Sequence, residues 1–62
     1  MININTATSE QLDELPGVGE ATASAIVRDR EANGPYKSPE DLMRVSGIGE
    51  KKFEKMKDRI CV

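Results

Sequence analysis

Leu12-Asp13-Glu14-Leu15-Pro16-Gly17-Val18-Gly19-Glu20 lies, at an offset of 30 positions, over Leu42-Met43-Arg44-Val45-Ser46-Gly47-Ile48-Gly49-Glu50. Between 8–27 and 38–57 five pairs are identical: Glu10/Glu40, Leu12/Leu42, Gly17/Gly47, Gly19/Gly49 and Glu20/Glu50. Thr8/Ser38, Leu15/Val45, Val18/Ile48 and Ile26/Met56 are conservative. Two glycine pairs enclosing an apolar residue, all at one offset, mark a duplication, and the period of a duplication sets the architecture.

Working outward, each copy reads as helix, tight loop, helix. Thr8 with Gln11 three residues on forms a capping box, and Leu12 and Leu15 supply an apolar line at i, i+3. Pro16-Gly17 stops that helix, and Gly17-Val18-Gly19 makes the turn. Glu20 opens a longer helix, its acid suited to the positive helix end; Ala23, Ile26 and Val27 line the inner face, and Asn33-Gly34-Pro35 closes it. In the second copy Ser38 is the cap, Pro39 the first helical residue, and Glu40 and Asp41 follow. Leu42 and Val45 take the places of Leu12 and Leu15, and Phe53, Met56 and Ile60 face inward along the last helix. Ile2-Asn3-Ile4-Asn5 alternates, but four residues are expected to pack as an extended lead-in and not as a strand. The expected fold is all-α: four short helices in two pseudo-symmetric units. Residues 1–62 are one domain, with unit one at about 8–32, a connector at 33–37 and unit two at about 38–60.

The composition excludes several classes of function. With a single cysteine, Cys61, and no histidine, the chain has neither an internal disulfide nor a structural zinc site nor a catalytic triad. Asp13 and Glu14 are adjacent and splay to different helix faces, so the carboxylates offer no paired acid–base site, and no enzyme is expected. There is no apolar run of membrane-spanning length and no signal-peptide pattern. The net charge is −2, which taken alone argues against a polyanionic partner. Its distribution reverses that argument. Residues 1–42 carry Arg28, Arg30 and Lys37 against eight acids, whereas residues 43–62 carry Arg44, Lys51, Lys52, Lys55, Lys57 and Arg59 against three. The first segment therefore has a net charge of −5 and the second of +3.

A Gly-x-Gly loop placed directly before a helix aims unpaired backbone N–H groups at one point, at the positive end of the helix dipole, where a phosphate oxygen fits. Glycine serves both positive φ and close approach of a ligand to the backbone. Val18 and Ile48, between the glycines, are expected to turn inward as anchors. Two such hairpins related by a pseudo-twofold match the two phosphate strands of a duplex, contacting backbone and not bases.

These stretches resemble the tandem helix-hairpin-helix DNA-binding motif of the SAM-like fold, and more closely the C-terminal domain of the ComEA competence family. The resemblance is carried by Ile4-Asn5-Thr6-Ala7, Leu15-Pro16-Gly17-Val18-Gly19, the Arg30…Asn33-Gly34-Pro35-Tyr36-Lys37-Ser38 connector and Gly47-Ile48-Gly49-Glu50-Lys51. It implies double-stranded DNA held without sequence preference from the minor-groove side. The implied contacts are Gly17, Val18, Gly19, Ala21 and Thr22 in the first hairpin, and Gly47, Ile48, Gly49, Lys51 and Lys52 in the second. Because Ala21 and Thr22 stand where the second hairpin has Lys51 and Lys52, the second is expected to hold phosphate more strongly. Glu20 and Glu50 flank both loops and oppose a phosphate unless they point outward. The resemblance further implies a parent protein that is exported and membrane-anchored, acting with other DNA-uptake components, this segment itself making no membrane contact. A cytoplasmic DNA-handling protein with the same module stays open, as does a monovalent cation on the loop carbonyls; no other cofactor is expected.

The remaining features have structural readings. Lys51, Lys55 and Arg59 recur at i, i+4, i+8 beside Glu50, Glu54 and Asp58; for Lys55 and Arg59 this is an ordinary solvated face. Lys37 and Arg44 are read as surface charges, and Arg28 and Arg30 as partners of a negative helix end. Phe53 and Tyr36 are core, and two aromatics are too few for a single-strand stacking platform. The alternative function is a protein-interaction or structural module on the same fold, which the acidic first unit suits. Salt response separates the two.

Overall fold

Thr8 starts the first helix as its side chain predicts. Its hydroxyl accepts from the Gln11 amide at 3.2 Å, and the Gln11 side chain accepts from the Thr8 amide at 2.9 Å, completing the capping box. In the computed structural model, which describes all 62 residues, this helix is α1, Ser9–Leu12. Next come α2, Glu20–Asn33, a 3-10 helix at Pro39–Arg44, and α3, Glu50–Met56. The fold is thus mostly helical, with the four expected helices. A 3-10 turn at Lys57–Arg59 and two strands, β1 (Ile2–Asn3) and β2 (Ile60–Cys61), complete it.

Ten of the fourteen buried residues fall into five pairs at the 30-residue offset: Leu12/Leu42, Leu15/Val45, Val18/Ile48, Ala23/Phe53 and Ile26/Met56. The two units therefore bury equivalent faces against each other, and one core serves both. Ile4, Ala7, Tyr36 and Ile60 lie outside the repeat and close the core at the termini and connector. Val27 is half-buried and packs against this cluster instead of lying within it.

Three local expectations are corrected. The lead-in is a strand: β1 pairs in parallel with β2, Ile2 opposite Ile60 and Asn3 opposite Cys61, and the Ile4 amide donates to the Cys61 carbonyl at 2.9 Å. This pairing is possible because α3 ends at Met56, so Ile60 enters the core from extended backbone and not from a helix face. Secondly, the helix that opens the second unit is 3-10, with the Asp41 amide donating to Ser38 and the Val45 amide to Leu42, both at 3.1 Å. At six residues it is longer than 3-10 segments usually are. Thirdly, Ser38 occupies the cap position but its hydroxyl makes no capping bond. The Asp41 carboxylate instead reaches back to accept from the Lys37 amide at 2.9 Å.

The connector is held from both sides. Asn5 and Tyr36 exchange two hydrogen bonds, the Tyr36 hydroxyl donates to the Ile26 carbonyl at 3.1 Å, and Arg30 donates to the Ile4 carbonyl at 3.0 Å. Arg44, read from sequence as a surface charge, is a tie. Its Nε pairs with Asp29 at 2.6 Å, a second guanidinium nitrogen donates to the Gly34 carbonyl at 2.7 Å, and its Cζ lies over the Tyr36 ring, 4.4 Å from the centroid. Burial pushes the Tyr36 phenol well above its ordinary value. Burial also raises Asp29, but hydrogen bonds from Arg44 and Asn33 outweigh it and the carboxyl lies below its ordinary value.

Candidate functional site

Both hairpins have the same construction. Gly17 and Gly47 turn the chain with φ of 81° and 98°, a region that residues with a Cβ rarely enter. The Val18 amide then donates to the Leu15 carbonyl and the Ile48 amide to the Val45 carbonyl, each at 3.1 Å. Both side chains are buried, as anchors should be. Their amides are consequently engaged within the chain, so as backbone donors to a ligand Val18 and Ile48 differ from what the resemblance implies.

Gly19 and Gly49 are extended, with φ of −101° and −96°, and occupy the N-cap positions of α2 and α3. A glycine cap has no side chain to satisfy the first helical amides. The amides of Gly19, Glu20, Ala21 and Thr22 have no acceptor within the chain, and the helical pattern begins with the Ala23 amide on the Gly19 carbonyl at 2.8 Å. The second hairpin repeats this: the amides of Gly49, Glu50, Lys51 and Lys52 are unpaired, and Phe53 donates to Gly49 at 3.0 Å. Space above Gly19 and Gly49 is open, with no atom within 4 Å of where a Cβ would stand. Each unit thus presents four free donors at a helix start, the arrangement that receives an anion.

The Glu20 and Glu50 amides belong to these sets and are absent from the residues selected by sequence. Their carboxylates argue against a phosphate, but their backbone amides are donors by the general rule that the first four helical amides lack partners. Glu20 and Glu50 are exposed, and neither is in an ion pair. Lys51 and Lys52 are likewise exposed and unpaired, whereas Lys57 is engaged with Glu54 at 2.9 Å.

The two hairpins lie side by side, and each is contacted by the opposite unit. A Cβ on Gly17 would meet Lys52 Cγ at 3.6 Å and Cδ at 3.7 Å, and a Cβ on Gly47 would meet Thr22 Oγ1 at 3.9 Å. Thr22 and Lys52 are equivalent positions of the repeat, so the exchange is reciprocal. Lys52, expected to serve its own hairpin, also places its Cγ and Cδ against Gly17 of the other. No helix is long and apolar enough to cross a membrane.

A family model described as the helix-hairpin-helix motif matches residues 1–61. Among curated proteins the chain is 53% identical over 62 residues to ComE operon protein 1 of Bacillus subtilis, covering all of this chain and 30% of that protein. It is 54% identical over 61 residues to the Homo sapiens endonuclease/exonuclease/phosphatase family domain-containing protein 1, covering 98% of this chain and 11% of that protein. An uncharacterized protein of Haemophilus influenzae is 45% identical over 60 residues, covering 95% of this chain and 54% of that protein. The chain thus spans less than a third of the first two relatives, and the likeness to ComEA-type domains extends through its whole length. With paired glycine hairpins, a core duplicated across them and a match from end to end, the chain belongs to the helix-hairpin-helix family.

Proposed function

We propose that this domain binds double-stranded DNA without sequence preference, each hairpin receiving the phosphate backbone of one strand from the minor-groove side. The observation that carries this is the pair of four-amide clusters, on Gly19 to Thr22 and on Gly49 to Lys52, each free of internal acceptors and open above the cap glycine. Amides read phosphate and carry no base information. Lys51 and Lys52, exposed and unpaired beside the loops, supply the positive charge. The identity with ComE operon protein 1 supports a place in DNA uptake, as the receptor domain of a longer, extracytoplasmic, membrane-anchored protein.

The test is a fluorescence-anisotropy titration of two unrelated duplexes of about two helical turns, at low and at physiological salt. Equal binding to both is expected, with an affinity on the order of 10⁻⁴ to 10⁻⁶ M at physiological salt and a steep loss as salt rises. Absence of binding at low salt and high protein concentration would sink the proposal. Glu20 and Glu50 would then dominate the loops, and protein partners would be sought on the acidic first unit.

A further inference from the structure

The reciprocal contact between the hairpins has a functional content beyond packing. We propose that Lys52, carried by the second unit, is the positioning cation of the first hairpin, so that each phosphate contact is assembled from the amides of one unit and a side chain of the other. This rests on the phosphate-binding proposal above and assigns one charge within it.

Three observations meet here. The first hairpin has four free amides at the start of α2, a 14-residue helix, but after the Glu20 that both units share, the positions matching Lys51 and Lys52 are Ala21 and Thr22, which bring no positive charge. Lys52 lays its stem against Gly17, with Cγ and Cδ in ordinary van der Waals range of where a Cβ would be. The ammonium, two bonds past Cδ, stands more than 4 Å from that point and within the side chain's reach of a phosphate held at the first loop. Finally, Lys52 is exposed and has no carboxylate partner, so its charge is available. At the equivalent place across the pseudo-twofold stands the Thr22 hydroxyl, next to Gly47, while Lys51 remains with the second unit. The basic second unit thus compensates the acidic first one: one of the two adjacent lysines is lent across the axis.

Gly19→Val and Gly49→Val provide the test. Both glycines have φ values open to any residue and empty space at the Cβ, so each variant is expected to keep the fold, at the cost of a poorer helix cap, while covering the amides of one loop only. Lys52→Ala is combined with each, and duplex affinity is followed against salt, with circular dichroism confirming the fold. In the otherwise unchanged domain, Lys52→Ala should lower the salt slope by about 0.9, and Lys52→Arg should restore it. Lys52→Ala is expected to have little further effect with Gly19→Val and its full effect with Gly49→Val. The opposite pattern, or equal effects in both, overturns the crossed assignment while leaving DNA binding intact. If the unsubstituted domain binds no duplex, the phosphate-binding proposal has failed and the crossed assignment falls with it.

Discussion

Asn5 and Tyr36, 31 positions apart, exchange two hydrogen bonds: the Tyr36 amide donates to Asn5 Oδ1 at 2.7 Å and Asn5 Nδ2 donates to the Tyr36 carbonyl at 3.0 Å. One side chain thereby takes the place of a β-ladder partner for the connector, fixing the second unit to the lead-in. Asn5→Ala leaves both backbone groups without partners in a partly buried place, and should cost about 1–3 kcal/mol in urea unfolding. Asn5→Asp keeps the acceptor and loses the donor, so it should not restore full stability.

Arg44 joins Asp29, Gly34 and Tyr36 through a planar fork that lysine cannot copy. Arg44→Lys is therefore expected to lower the thermal midpoint nearly as much as Arg44→Met. The pH response carries a sign that can be checked. The folded-state carboxyl of Asp29 lies below its ordinary value of 3.8, so its contribution is complete above that value and fades as pH falls through the lower, folded one. Acid titration of stability should show this loss in the unsubstituted protein and a flatter profile in Arg44→Met.

The two glycines of one hairpin should separate fold from binding. Gly17 has positive φ, and Gly17→Ala should destabilise by roughly 1–2 kcal/mol. Gly19→Ala changes no such angle and should cost less, about 0.5–1 kcal/mol from the N-cap preference for glycine over alanine. Gly19→Val should keep the fold yet weaken duplex binding on every sequence alike, as should Gly49→Val in the second hairpin. Denaturation and anisotropy on the same samples make the comparison.

Charge reversal at Lys51 and Lys52 to glutamate should weaken binding on all duplexes equally, because phosphate contacts do not distinguish sequence. The slope of log affinity against log salt should fall by roughly 0.9 for each phosphate contact removed. A change confined to one of two unrelated duplexes would contradict backbone recognition.

Leu12 and Leu42 are both fully buried at equivalent positions. Replacement of either by alanine should cost about 2–5 kcal/mol, a large share of the roughly 3–9 kcal/mol available to a domain this small. Because both units share one core, amide hydrogen exchange should show each variant losing protection in both units, and not in one half only.

The architecture was legible because one offset brought together the glycines, the apolar residue between them and the helix-facing leucines. The same offset generates most of the core. Thr8 and Gln11 were readable as a capping box because both partners lie within one turn. Contacts between distant and unrelated positions left no such trace. Arg44, Asp29, Gly34 and Tyr36 come from three separate segments, and no period relates them. The strand pair is two residues long on each side, too short for alternation to register, and it required the last helix to stop at Met56. In the candidate site the turn glycines and buried anchors could be read from sequence. The path of Lys52 could not, since only the packed pair of units reveals which loop its stem crosses.

The parallel strand pair gives the domain a mechanical character. Tension applied to the two ends of the chain pulls the start of β1 against the finish of β2 along their common direction. The pairs Ile2–Ile60 and Asn3–Cys61, with the Ile4-to-Cys61 bond, are then loaded in shear and must yield together, instead of opening one at a time like a zipper. The ends of the chain are also its clasp, so a pull transmitted through flanking sequence meets the closure of the core before it reaches either hairpin.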